Sequence, residues 1–348
     1  MNRSVRVVAL TGEGTATELL NESEYTKNWS LDPTEVRALR TSSGVDVLVT
    51  DNARATFIQK DASTVSLVGL QQTNNLDLHV LGFAPLQPSP LALYYQGDET
   101  KAANETLTAF DVASMAKTTR VFAAPVSLTL VSSGSVAWLA AERLDLATDC
   151  QDSGQTQSCS GGAAAVPIYT CTWHLDVWKV SAASALQGSP LATVDVPASI
   201  SQRCDDKTPA GLATFTSTLG MGAGFGAHHA LAIDPTNDAL AIVVQRASMP
   251  GSPGVQLEMM DTSGKRSITG ITASLSAINA SSWLAVRAGR IFVCGDSRCA
   301  VGDSSGGTSF SFDASLDLLS AQGILLPSDG IGLLGGSAPS LQTLSCKH

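Results

Sequence analysis

Gly302-Asp303-Ser304-Ser305-Gly306-Gly307 sets two serines among glycines, a setting in which a turn can present a nucleophilic hydroxyl. Such a hydroxyl needs a histidine base and a carboxylate that orients it. His228 and His229 stand in no context that supplies them, so Ser304 and Ser305 read as part of a turn after a hairpin. Gly222-Ala223-Gly224-Phe225-Gly226-Ala227 has the glycine spacing of a dinucleotide-binding loop. That chemistry requires a helix whose N-terminus meets the pyrophosphate. Here the chain runs into Leu231-Ala232-Ile233 and then Asp234-Pro235, too soon for a helix, and the segment reads as an inserted loop. His228 and His229 are adjacent, so in a strand they point to opposite faces and do not share one ion. Asp234, Asn237 and Asp238 offer oxygen ligands, but without the glycine and glutamate spacing of a calcium loop they read as an Asp-Pro-x-Asn-Asp turn. The reading therefore names no catalytic, cofactor-binding or metal-binding residue, expects no cofactor, and favours a protein that is not an enzyme.

The seven cysteines carry more information. Cys150 and Cys159 flank a polar loop rich in Gly, Ser and Gln and are expected to pair. Cys294 and Cys299 enclose Gly295-Asp296-Ser297-Arg298 at a hairpin end and form a second expected pair. Cys171 and Cys204 are the third, across a longer loop, which leaves Cys346 unpaired. There is no Cys-x-x-Cys pair and no histidine at ligand spacing beside these cysteines, which disfavours zinc. Cystines imply an oxidising compartment: secreted, periplasmic or cell-surface. Only Val7 to Leu10 are apolar at the start, too few for a targeting core, so the chain is expected to be the mature part of an exported protein whose leader has been removed. Asn2, Asn21, Asn28, Asn104 and Asn279 begin Asn-x-Ser/Thr sequons, which arise readily by chance in a chain this rich in Ser and Thr.

Charge narrows the partners. The net charge is −10 and charged residues make up 15% of the chain. No basic cluster exists to neutralise phosphates, so nucleic acid is not an expected partner. An acidic surface is also a poor match for anionic membranes. The uncharged stretches Val121 to Ala141 and Thr208 to Ile233 are interrupted by Pro125 and Gly134, and by Gly211, Gly220, Gly222, Gly224 and Gly226, so no membrane span is expected.

The elements that must position these residues are strands. Val45 to Val49, Thr56 to Gln59, Val65 to Leu70 and Leu76 to Leu81 are four short runs separated by Asp51-Asn52-Ala53, Lys60 to Ser63 and Gln71 to Asn75. Similar runs end at Phe110-Asp111, Trp178-Lys179, Met260-Asp261 and Phe312-Asp313, each followed by small polar residues. Hairpins are expected around Asp234 to Asp238 and around Arg287 to Arg290. Thr34 to Arg40 is the one brief stretch with a helical pattern. Trp138, Trp173, Trp178 and Trp283 sit within strands and read as packing residues.

Four strands in about forty residues, recurring along the chain, resemble the blades of a β-propeller. The resemblance is one of architecture and covers most of the chain. The Gly-His…Trp-Asp pair of WD40 repeats, a kelch array of double glycines and the sialidase box are all missing, so no family is assigned and no residue role is carried over. Residues 302–307 also resemble the nucleophile segment of trypsin-like proteases, with one serine inserted and without that family's Ala-Ala-His-Cys segment. The expected fold is all-β: a propeller of six or seven four-stranded antiparallel blades, or else another large antiparallel repeat or sandwich. It forms one domain over residues 1–348, with inserted loops near 148–168 and 204–228. The strand from Val5 to Leu10 is expected to complete the last sheet. The expected function is an exported binding or scaffold module for a protein or glycan partner. The alternatives are a structural subunit of a surface appendage or envelope complex, assembled with itself or with other envelope proteins, and a propeller hydrolase without a recognisable motif.

Overall fold

A computed structural model of the chain describes residues 5–10, 16–22, 34–61, 64–74, 77–97, 105–122, 126–134, 136–144, 146–159, 165–201, 229–245, 255–269, 283–287, 290–295, 298–303, 308–313, 322–325, 331–335 and 340–344. These form seven antiparallel sheets. The first is a hairpin of β1 (Val5–Leu10) and β2 (Ala16–Glu22). The second runs β3 (Glu35–Arg40), β4 (Gly44–Thr50), β5 (Arg54–Asp61) and β6 (Val65–Gln72). The third runs β7 (Leu78–Ala84), β8 (Leu91–Gln96), β9 (Glu105–Asp111) and β10 (Lys117–Phe122).

The fourth sheet contains β11 (Val126–Ser133), β12 (Val136–Arg143), β13 (Cys150–Gln157), β14 (Val166–Val180) and β15 (Ala192–Ser201), with the single-turn helix α1 (Leu146–Asp149) before β13. The fifth holds β16 (His229–Ile233), β17 (Leu240–Gln245), β18 (Val255–Met260) and β19 (Arg266–Thr269). The sixth holds β20 (Trp283–Arg287), β21 (Arg290–Gly295), β22 (Arg298–Asp303) and β23 (Thr308–Asp313). The last holds β24 (Gln322–Leu325), β25 (Ile331–Gly335) and β26 (Ser340–Leu344).

The first strands of successive sheets touch one another: β3 with β7, β7 with β11, β11 with β16, β16 with β20 and β20 with β24. Each sheet therefore turns its first strand inward and its last strand outward. Sheets arranged radially in this way define a β-propeller.

Between neighbouring sheets lie the cores. Leu48 and Phe57 of the second sheet pack with Val80, Tyr94 and Phe110 of the third. Leu93 and Leu107 pack with Leu139 and Trp178, Trp138 and Trp173 with Leu231 and Ile242, and Val243 and Leu257 with Leu284 and Ile291. This explains why second strands read as continuous apolar runs. Both of their faces are covered, so alternate residues serve alternate neighbours. In β4, Val45, Val47 and Val49 pack with Leu20 of the first sheet while Leu48 packs toward the third. Each such buried side chain contributes roughly 1.5–3 kcal/mol of apolar burial.

Several expectations change. Thr34 to Arg40 is not helical: Glu35–Arg40 is strand β3, paired throughout with β4. Its charges, Glu35, Arg37 and Arg40, fall on both faces of the strand, which hid its period of two. The blade that begins at Gly44 by sequence in fact begins at β3, and β7 opens the next sheet. The Gln71 to Asn75 turn is thus a passage between sheets rather than a hairpin within one. The Val5 to Leu10 strand pairs with β2, its neighbour in sequence, and not with β24–β26. The region near 148–168 is not a bare loop but carries β13 and the start of β14. Nor do all sheets have four strands, since the fourth has five. No helix among the described residues is long and apolar enough to cross a membrane.

Candidate functional site

Because every first strand begins at the same end, the connections sort onto two faces. One face, here the lower, carries the turns between first and second strands and between third and fourth strands. The other, the upper, carries the turns between second and third strands and, in the fourth sheet, the single-turn helix α1 between β12 and β13.

On the lower face Asp111, Asp234 and Asp261 bond into their turns, and Asp234, Asn237, Asp261 and Lys265 line a pocket between them. Asp61, Asp111, Asp261 and Asp303 all stand at the end of a third strand, or one residue past it. Asp111 Oδ1 accepts hydrogen bonds from Ala113 N at 3.1 Å, Ser114 N at 2.8 Å and Ser89 Oγ at 3.0 Å. Asp261 Oδ1 accepts from Ser263 N at 2.9 Å, Ser263 Oγ at 2.6 Å and Lys265 N at 3.0 Å. The hydrogen bond from Ser114 N and its companions hold the Asp111 carboxyl below its ordinary range, and the Ser263 hydroxyl does the same first for Asp261. Gly264 completes that turn at φ 87°, where a Cβ would meet Leu191 at 3.0 Å. Asp234 is the same device between β16 and β17, bonding Thr236 N at 2.9 Å and Thr236 Oγ1 at 2.7 Å. The Asp234–Asp238 segment is therefore a turn. Asp303 occupies the turn position of Asp61, Asp111 and Asp261, while Ser304 and Ser305 lie outside the described residues.

The upper ends of the inner strands carry two Glu–His pairs, each across a sheet boundary. Glu35 opens β3, and its Oε1 lies 2.9 Å from His79 Nδ1 on β7 while its Oε2 accepts Val80 N at 2.7 Å. Burial pushes the Glu35 carboxyl up, but the bonds from His79 and Val80 N, with the His79 and Arg37 charges, bring it below its ordinary value. Tyr95, directly opposite His79 on β8, stacks on the imidazole at 4.9 Å between centroids. His79 and Glu35 are about equally exposed, 28% and 29% of their side chains. Beside them Gln96 links Gln71 at 2.7 Å to Asp77 at 3.1 Å.

The second pair is sealed. His229 Nδ1 lies 2.6 Å from Glu142 Oε2 and Nε2 lies 3.1 Å from Thr129 Oγ1, with the histidine side chain only 1% exposed. His229 is thus a packed residue between the fourth and fifth sheets, and no metal-ligating group of three or more His, Cys, Asp or Glu occurs among the described residues. His228 and residues 222–227 lie outside them.

The fourth sheet adds a third polar cluster around its inserted strand. His174 Nδ1 lies 2.8 Å from Asp195 and Nε2 lies 3.4 Å from Asp149. Arg143 Nε bonds Asp176 at 2.8 Å, which also accepts Thr193 Oγ1 at 2.7 Å. Next to it is a disulfide that differs from the expected pairing: Cys150 bonds Cys171, neither to Cys159 nor to Cys204. The β13–β14 ladder places Cys150 directly opposite Cys171, so strand register, not loop length, selects the partner. Cys159 is likewise disulfide-bonded. The β21–β22 register sets Cys294 opposite Cys299, while Cys204 and Cys346 lie outside the described residues. Glu35, His79, Tyr95, Glu142 and His174 went unflagged in the sequence because their partners lie on other strands, at separations such as 44 residues for His79 and Glu35.

Comparisons by sequence find no matching family model and no matching curated protein. By structure the chain is similar to β-propeller-type proteins. A streptogramin B lyase has a TM-score of 0.45 at 10% identity, with 94% of this chain and 83% of that chain covered. AztD from Citrobacter koseri has a TM-score of 0.40 at 13% identity, with 96% and 86% covered. A functionally unknown protein from Desulfotomaculum acetoxidans has a TM-score of 0.42 at 11% identity, with 91% and 85% covered. The propeller assignment rests on the strand order and contacts of this chain itself.

Proposed function

We propose that this propeller is an exported binding module that engages a protein or glycan partner through its upper face. The observation that carries this reading is the asymmetry of the two faces. On the lower face Asp111, Asp234 and Asp261 each commit Oδ1 to turn amides and hydroxyls. The half-exposed Glu35–His79–Tyr95 group stands at the upper mouth beside Gln71, Gln96 and Asp77, with donors and acceptors held at fixed positions. Loops on a rigid scaffold are where recognition concentrates. The Cys150–Cys171 disulfide supports an oxidising compartment.

The test uses the full chain on a glycan array and as bait for surface and secreted protein extracts. The expected result is a specific ligand whose retention is lost in a His79→Ala, Tyr95→Ala double variant and kept in the lower-face variant Lys265→Ala. Retention that tracks Lys265 and ignores His79 and Tyr95 would overturn the reading.

A further inference from the structure

We propose that the lower-face pocket between the β16–β17 and β18–β19 turns binds a free basic amino acid. Its α-ammonium and α-carboxylate meet Asp261 and Lys265, and its side-chain cation meets Asp234. The pocket lies on the face opposite the Glu35–His79–Tyr95 group, so this proposal and the upper-face reading stand or fall separately.

The pocket has a volume of about 350 Å³, and its lining includes Asp234, Ala239, Met259, Asp261 and Lys265. That volume falls within the range of small-molecule sites, roughly 300–1,000 Å³. Asp234 is only 4% exposed. Its Oδ1 accepts from Thr236 N at 2.9 Å and Thr236 Oγ1 at 2.7 Å, while Oδ2 accepts no hydrogen bond among the described residues. A carboxylate so far withdrawn from water needs a donor, and a charged donor satisfies it best. The pocket is the space in which that donor can sit. Asp261 repeats the arrangement: Oδ1 takes its bonds from Ser263 and Lys265 N, and Oδ2 accepts none among the described residues. Both carboxylates are thus held in position before a ligand arrives.

The charges define the ligand. Arg266, which also lines the pocket, is committed to the protein, with Nε 3.1 Å from Glu258 Oε2 and Nη1 donating to Thr193 O at 2.6 Å. Lys265 forms no salt bridge among the described residues. The uncommitted charges are therefore those of Asp234, Asp261 and Lys265. A simple anion would meet two carboxylates, and a neutral sugar would leave all three charges without counterparts. A basic amino acid carries the complementary set, and the net charge of −10 draws a cationic ligand. The ladder sets the spacing. Asp234 N bonds Ala239 O at 2.8 Å, and Leu240, the next residue, stands opposite Met260, which precedes Asp261. Adjacent strands lie about 4.8 Å apart, which puts Asp234 and Asp261 roughly 10 Å apart at the backbone. Asp261 N bonds Lys265 O at 3.0 Å, so Lys265 stands beside Asp261, on the side away from Asp234. The head of the amino acid then sits between Asp261 and Lys265, its aliphatic stem crosses Ala239 and Met259, and its distal cation reaches Asp234 Oδ2.

Isothermal titration calorimetry of the full chain with L-lysine and L-arginine tests the proposal. At least one of them is expected to saturate a single site with a Kd below about 1 mM. L-Norleucine lacks the distal cation and cadaverine lacks the carboxylate, and each should bind about tenfold more weakly than L-lysine, or worse. Asp234→Asn keeps the acceptor for the turn and puts an amide donor in place of Oδ2. It should weaken L-lysine about tenfold and leave L-norleucine unchanged. Lys265→Met touches none of the turn's backbone bonds and should weaken L-lysine without weakening cadaverine. The His79→Ala, Tyr95→Ala double variant should bind L-lysine as the wild type does, whether or not the upper face has lost its partner. No saturable binding of either amino acid, equal binding of L-lysine and L-norleucine, or an affinity indifferent to both Asp234→Asn and Lys265→Met overturns the proposal. Loss of L-lysine binding in the His79→Ala, Tyr95→Ala variant with its circular dichroism unchanged does so as well.

Discussion

Cys150 and Cys171 face each other directly across the β13–β14 ladder and are joined through their sulfurs, with Cα atoms 4.0 Å apart. β13 is an addition to the sheet. The upper half of β14 holds it on one side and β15 on the other, while the lower half of β14 pairs with β12. The disulfide fastens this added strand where the ladder leaves the body of the sheet.

Replacing both Cys150 and Cys171 by serine is therefore expected to loosen the inserted strand before the sheet. Closing a loop of 21 residues is worth about 3 kcal/mol in the chain-entropy account. Limited proteolysis should cut between residues 150 and 171 in the variant and leave the segments before β12 and after β15 protected. Global unfolding at the same protease concentration would show that the bond holds the whole domain.

The His229–Glu142 pair should behave as a buried unit. Glu142→Ala removes the partner of His229 Nδ1 from a buried site, and the expected loss is about 3 kcal/mol in denaturant unfolding. His229→Leu combined with Glu142→Leu should cost much less than the sum of the two single changes, because the pair is removed together. Additive losses would mean that the two side chains act independently.

The strand pattern was legible because packing between sheets demands apolar runs, and β4, β5, β16, β17, β20 and β21 stand where those runs lie. The grouping into sheets was less legible. The turn after β6 looks like that of a hairpin, and β3, with Glu35, Arg37 and Arg40, hides an inner strand behind a helical spacing of charges. The cystines were legible as chemistry, but Cys150 and Cys171 were assigned the wrong partners, since register across β13 and β14 is not local in sequence. The Glu35–His79–Tyr95 group was illegible for the same reason: three strands of two sheets bring it together.

Asp111 tests the turn device of the lower face. Asp111→Ala removes the acceptor for Ala113 N, Ser114 N and Ser89 Oγ and is expected to cost about 1 kcal/mol. The folded carboxyl is held low by these bonds, so its contribution is present above the unfolded value near 4 and is lost as pH falls through the folded one. The gap between wild type and variant in urea unfolding should narrow on acidification. A gap that stays constant down to pH 2 would exclude an ionic acceptor.

Asp46 makes the opposite prediction. Its side chain is almost wholly buried, at 2% exposure, on β4 opposite Gln59. Burial pushes its carboxyl up to about 6; the Gln59 hydrogen bond opposes this, and the Asp61 charge adds to it. In the unfolded chain the group titrates near 3.9. A folded value above the unfolded one means that the folded state holds the proton more tightly. Stability is then fully present below about pH 4 and falls as pH rises to about 6, beyond which no further loss comes from this residue. The full difference is at most about 3 kcal/mol. Asp46→Asn keeps the shape and the bond to Gln59 but cannot ionise. It should match the wild type in urea unfolding at pH 4 and exceed it at pH 8, with the gap opening between those values. An Asp46→Asn variant that is less stable than the wild type at pH 8 would show that the carboxylate is held by partners and sits below, not above, its ordinary value.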